Sequence, residues 1–130
     1  MEKKSIALTD AEWSVMECLW THAPRTGREL TEELGETCGW SRSTTLTLLS
    51  RLEAKGAVGT ESDGRVKTFV PRVSREEAAL RETEDLLTRA YRGSLSLMVS
   101  ALTKKQTLTR EELDELYAIL KRAEEGNQDA

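Results

Sequence analysis

Apolar side chains recur along the chain at three- and four-residue intervals, switch once to two-residue intervals, and then return to the helical period. The first stretch opens at Thr9 and Glu12, a Thr-x-x-Glu capping box, and carries Trp13, Met16, Leu19 and Trp20 at helical spacing until Pro24. It predicts a helix over residues 10–21. A second box, Thr26 with Glu29, precedes Leu30 and Leu34, and Gly35 suits a helix C-terminus, so the second helix is expected to be short. Ser41 caps a third helix whose stripe of Thr45, Leu48, Leu49 and Leu52 occupies positions i, i+3, i+4 and i+7 before Lys55-Gly56 ends it.

The two-residue period follows. Val58 and Thr60, then Val66, Thr68 and Val70, alternate around Asp63-Gly64, which predicts a hairpin with a two-residue turn closed by Pro71. Ser74 with Glu77 then starts a long helix through Leu80, Leu86, Leu87 and Tyr91 to Gly93. A more apolar helix spans Leu95 to Leu102, and Thr109 with Glu112 opens a last one carrying Leu113, Leu116, Tyr117 and Leu120, with the terminal GNQDA expected to fray.

Helix, short helix, helix and hairpin is the order of a winged helix-turn-helix. The expected fold is therefore mainly α with a small β-hairpin: a winged helix-turn-helix domain over residues 1–72 and a C-terminal helical dimerisation region over residues 73–130. About sixty residues of helix make a marginal core alone, so a second copy is expected to cover the remaining apolar stripes. The candidate dimerisation positions are Leu86, Leu87, Tyr91, Leu95 and Met98, followed by Leu102, Leu113, Leu116, Tyr117 and Leu120.

Off the apolar stripe, the third helix carries Arg42, Ser43, Leu46, Thr47, Ser50 and Arg51, with Thr44 at the margin. Hydroxyls and guanidinium groups reach phosphates and base edges, and Leu46 or the Thr47 methyl can meet a thymine methyl. Overall charge points nowhere, since 19 basic and 23 acidic residues give −4. Residues 38–72, however, hold six basic and three acidic residues, a local +3 that leaves −7 for the rest of the chain. A basic face on an acidic body orients a protein on a polyanion. Arg65 and Lys67, two apart, are expected to share the wing face turned to the sugar-phosphate backbone.

Other chemistries lack their residues. Cys18 and Cys38 form no Cys-x-x-Cys pair and His22 is the single histidine, so no zinc-ligand set and no cofactor are expected. Two free thiols fit a reducing cytoplasm, and no apolar run approaches the ~18 residues a membrane span needs. Without a nucleophile-base pair or a nucleotide-cradling glycine motif, no enzyme is expected.

The segments LTDAEWSVMECLW, WSRSTTLTLLSRLEAKGAV and DGRVKTFVPRVSREE resemble the BlaI/MecI/CopY family of penicillinase-type repressors over nearly the whole chain. The resemblance implies a homodimeric cytoplasmic repressor, with entwined C-terminal helices, seated on a palindromic double-stranded operator with TACA and TGTA elements. It places Ser41, Arg42, Ser43, Thr44, Leu46 and Thr47 against that operator, with Arg51 supporting and Arg65 and Lys67 on the wing. Leu46 departs from the polar or charged residue of better-known members, and Phe69 replaces a frequent tyrosine. In antibiotic-responsive members a membrane sensor protease cuts the C-terminal region, and the resemblance places the matching bond here near Ala101-Leu102, without the familiar Asn-Phe pair. The cysteine-rich tail of copper-responsive members is missing, since no cysteine follows Cys38. Two other readings stand beside this one: a winged-helix adaptor that binds protein, and a regulator with a small effector near Tyr91, Met98 and Tyr117.

Overall fold

The computed structural model describes residues 6–62, 64–105 and 107–128. Its element order is α1 (Asp10–Thr21), β1 (Arg25–Thr26), α2 (Gly27–Cys38), α3 (Arg42–Lys55), β2 (Val58–Ser62), β3 (Lys67–Pro71), α4 (Arg75–Tyr91), α5 (Leu95–Lys105) and α6 (Arg110–Gln128). The three strands form one antiparallel sheet in the order β1-β3-β2. Helices α1 to α3 and this sheet make a winged helix. Two compact units are distinguishable, Met1–Asp85 and Leu86–Ala130. The first runs past the expected boundary at residue 72 because Val73 and Ala78 are buried in it.

Each expected capping box forms. Thr9 Oγ1 accepts from the Glu12 amide at 3.1 Å while Glu12 Oε1 accepts from the Thr9 amide at 2.8 Å, and Thr26/Glu29, Ser74/Glu77 and Thr109/Glu112 repeat the exchange. Each satisfies two amides that a helix start otherwise leaves unpaired.

The core fills the space between α1, α2, α3 and the sheet, with Val15, Met16, Leu19, Leu30, Leu34, Leu49 and Leu52 at most 1% exposed. On α1 the buried stripe is Glu12, Val15, Met16 and Leu19, rotated from the expected one. Trp20 packs on the edge of the core, and Trp13 meets it edge-on at 5.2 Å, because rings too large for the tight centre settle at its rim.

Glu12 is 1% exposed, and its carboxylate accepts from the Lys55 ammonium at 2.5 Å; Lys55 also donates to the Ala7 carbonyl at 3.0 Å. One buried pair thus joins the start of α1 to the end of α3. Burial pushes the Glu12 pKa up, but the Lys55 and Thr9 bonds together outweigh it and leave it below the ordinary carboxylate value. A second network roots the wing: Arg25, whose strand residue pairs with Phe69, reaches Glu33 at 2.6 Å, and the Cys18 thiol donates to the same carboxylate at 3.0 Å.

The structure departs from the sequence pattern in four places. Helix α2 does not stop at Gly35 but runs to Cys38, because the left-handed turn that ends it falls at Gly39, φ +70°, where the Gly39 amide bonds the Gly35 carbonyl at 3.1 Å. The hairpin register pairs Ser62 with Lys67, so the turn has four residues rather than two, and Asp63 lies outside the described residues. Val66 is accordingly in the turn and 46% exposed, and the core takes Phe69 instead. Phe69 pairs with Arg25 on one side and Thr60 on the other, and it is this two-sided pairing that sets the register. Finally, α6 continues through Gly126 and Asn127 to Gln128 rather than fraying at the GNQDA segment.

Thr45 is fully buried on α3 and its hydroxyl has no hydrogen-bond partner among the described residues. Thr45→Val, which keeps the shape and removes the orphan, is expected to raise unfolding stability by about 1 kcal/mol, measured by chemical denaturation. Lys55→Met, by contrast, removes the ammonium paired with the buried Glu12 carboxylate and leaves it the bond from the Thr9 amide. It should cost about 2 kcal/mol at neutral pH, less than a fully enclosed pair because the Lys55 side chain is 36% exposed. In the native chain the depressed Glu12 pKa contributes stability above the ordinary carboxylate value and loses it as pH falls through the lower folded one. With the lysine gone, its lowering effect is lost and that pKa rises, so the deficit of the variant should shrink as pH falls through the carboxylate range around pH 4. A deficit that does not change with pH would overturn the assignment.

Candidate nucleic-acid interface

Helix α3 has two sides with different occupations. Thr45, Leu48, Leu49 and Leu52 are buried, and at about 100° per residue they take up one arc of the helix. The remaining arc presents Arg42, Ser43, Thr44, Leu46, Thr47 and Arg51 to solvent, with Ser41 at its head. All seven sequence-predicted residues of this element are therefore on the outer surface.

That surface is a ridge between two shallow clefts. On one flank Ser43, Thr44, Thr47 and Arg51 border a cleft of about 350 Å³ closed by Ala11 and Trp40. On the other, Arg42 and Leu46 border one of about 370 Å³ closed by Gly27, Arg28, Thr31 and Glu32. Leu46 is 37% exposed, resting near Gly27, whose Cα would carry a Cβ 3.7 Å from the leucine Cδ2 and 3.6 Å from Phe69 Cε2. Sequence reasoning had Leu46 projecting from the ridge; the structure leans it on the start of α2.

At the head of the ridge, the Ser41 hydroxyl accepts from the Thr44 amide at 3.3 Å and lies 3.1 Å from both the Ser43 and Thr44 hydroxyls. Three hydroxyls thus cluster at the positive end of α3, an arrangement that suits an incoming phosphate oxygen.

The basic residues divide into free and engaged. Arg42 and Arg51 are exposed and make no ion pair among the described residues. Lys55, counted in the basic segment, is taken by Glu12. Lys67 lies 3.7 Å from Glu53 of α3 and 5.2 Å above the Phe69 ring. Arg65 sits in the wing turn, not on β3, so the two-residue spacing does not put it on one strand face with Lys67. Arg28, exposed beside Arg42 and 3.3 Å from Glu32, was not singled out from the sequence; its position beside the second capping box is the signal that marks it.

Cys18 is not an activated thiol. Burial and the Glu33 carboxylate push Cys18 up to about 12, and Cys38 is exposed at the last turn of α2. Among the described residues no group of three or more His, Cys, Asp or Glu side chains converges as a metal site, and no helix is long and apolar enough to cross a membrane.

The C-terminal unit offers a different surface. Leu86, Leu95, Leu102, Leu116, Tyr117 and Leu120 are exposed, while Leu87, Tyr91, Met98 and Leu113 are half-buried. Leu97, Val99 and Ile119, which the sequence reading passed over, are 59%, 47% and 51% exposed. Between α5 and α6 lies an apolar groove of about 340 Å³ lined by Val99, Leu102, Leu108, Leu116 and Ile119, among others; Tyr91, Met98 and Tyr117 do not line it. Ala101 is half-buried and Leu102 exposed within α5.

The sequence profile described as penicillinase repressor matches residues 8–122. The penicillinase repressor of Bacillus licheniformis is 36% identical over 118 residues, covering 91% of this chain and 92% of that protein. The methicillin resistance regulatory protein MecI of Staphylococcus aureus is 26% identical over 120 residues, 92% of this chain and 98% of that one. Among solved structures, the monomeric form of Bacillus licheniformis BlaI in complex with the blaP half-operator aligns at a TM-score of 0.53 with 36% identity, over 58% of this chain and 93% of that one.

Proposed function

The chain belongs to the penicillinase repressor family, and we propose that it is a DNA-binding transcriptional repressor acting as a cytoplasmic homodimer on a palindromic operator. The observation that carries this reading is the outward arc of α3, where hydroxyls and two arginines free of ion pairs form a ridge that fits a major groove. The relative seen with a half-operator supports it, with 36% identity over 58% of this chain. Ser41, Arg42, Ser43, Thr44, Leu46, Thr47 and Arg51 meet the operator from α3, and Arg65 and Lys67 meet its backbone from the wing.

Repression is steric, and no residue performs chemistry. The uncovered leucines and aromatic residues of α4, α5 and α6 pair with those of a second copy, because a surface of this kind is costly in water for an isolated protomer. Release follows proteolysis at Ala101-Leu102 by a membrane sensor protease. That bond lies inside α5, so the helix must open locally before a protease can take the backbone as an extended strand.

Two measurements test the reading. The full chain should retard duplexes selected from a random pool, and Arg42→Ala and Arg51→Ala should each weaken binding and lower the slope of log affinity against log salt by about one. Retention of a protein partner with no affinity for any duplex would favour the adaptor reading instead. In sedimentation, the chain should run as a dimer, and Leu116→Glu with Leu120→Glu should give monomers that keep the fold of the winged unit. A native chain that sediments as a monomer at micromolar concentration would refute the dimer.

A further inference from the structure

At the rim of the core, the first turn of α4 is fastened to α1 by polar contacts that the α3 ridge does not use. The Trp20 indole Nε1 donates to the Val73 carbonyl at 2.9 Å, just before α4 begins. The Arg75 guanidinium stacks over the same indole at 5.1 Å and pairs with Glu17, one α1 turn back. Val73 and Ala78 are 2% and 3% exposed, so the chain enters the helix anchored on both faces. An ion pair with side chains 48% and 40% exposed contributes little to stability, and a hydrogen bond from an indole is valued chiefly for its direction.

We propose that Trp20 and Arg75 are positioning residues that fix the half-site spacing the dimer accepts, by setting the direction in which α4 leaves the winged unit. The proposal rests on the dimeric DNA-binding reading above. Binding of the second half-site is intramolecular, and its effective concentration depends on the stiffness of the connection. A stiff connection concentrates the second winged unit at one separation and one rotation. A loose one spreads it over many, lowering the optimum and raising the flanks.

The experiment uses the full chain and duplexes selected from a random pool with the native protein, then rebuilt with one or two base pairs added or removed between the half-sites. One base pair turns a half-site by about 35°. The native protein should lose about tenfold or more in affinity at the shifted spacings. Trp20→Phe with Arg75→Met should bind the best spacing several-fold less tightly, show a penalty of about threefold or less at the shifted ones, and bind an isolated half-site within about twofold of native. Arg75→Lys, which keeps a cation near Glu17 and the indole, should restore part of the discrimination.

A double variant with the native spacing profile overturns the proposal while the dimer reading stands. Equal losses on the half-site and on every full site also overturn it, since they assign both residues to the fold of the winged unit. A native chain that binds a full site no tighter than a half-site removes the dimer reading, and the proposal with it.

Discussion

One helix has to be a wall of the core and the outer face of the molecule at the same time, and most of the structure follows from that constraint. Burying Thr45, Leu48, Leu49 and Leu52 fixes the rotation of α3, and a turn of one residue, about 100°, would drive an arginine or a serine into the centre. The ridge is therefore as well defined as the core behind it. Lys55, bound to Glu12 at the far end of the same helix, joins it to the start of α1 and discourages rotation about its axis.

The charge arrangement is sparer than the composition implies. The basic segment of residues 38–72 spends Lys55 on Glu12 and sets Lys67 beside Glu53, so the cations freely directed outward from α3 are Arg42 and Arg51. Part of the acidic excess is carried by α2, where Glu29, Glu32, Glu33 and Glu36 gather beside Arg25. Two cations directed outward from α3 on a chain of net negative charge would favour one docking orientation and weak adhesion elsewhere. On the proposed reading, specificity would then depend on hydroxyls, methyls and shape, with Leu46 beside Gly27 offering an apolar surface.

The C-terminal unit follows a different economy. No described residue of α5 or α6 is fully buried, yet both helices carry apolar stripes and α6 begins with a complete capping box. Local signals define such helices, and in the proposed dimer association would supply the packing they lack.

Helix starts were legible in the sequence because a capping box is a local exchange of two hydrogen bonds between residues three apart, and all four boxes formed at the residues that spelled them. So was the buried stripe of α3, and with it the outward set from Ser41 to Arg51, since periodicity alone separates the two sides. Helix ends and strand register were not. Gly35 and Gly39 are chemically alike, and only the packing of Trp40 and the turn into α3 decides which takes the left-handed conformation. Arg25–Thr26 is too short to carry a pattern and exists because β3 lies beside it, and that pairing moved Val66 and Arg65 from the strand into the turn. Which cations remain free was likewise a tertiary matter, because Glu12 and Lys55 stand 43 residues apart and meet only when the helices pack. What depends on neighbours within one helical turn was written in the chain; what depends on partners distant along it was settled by folding.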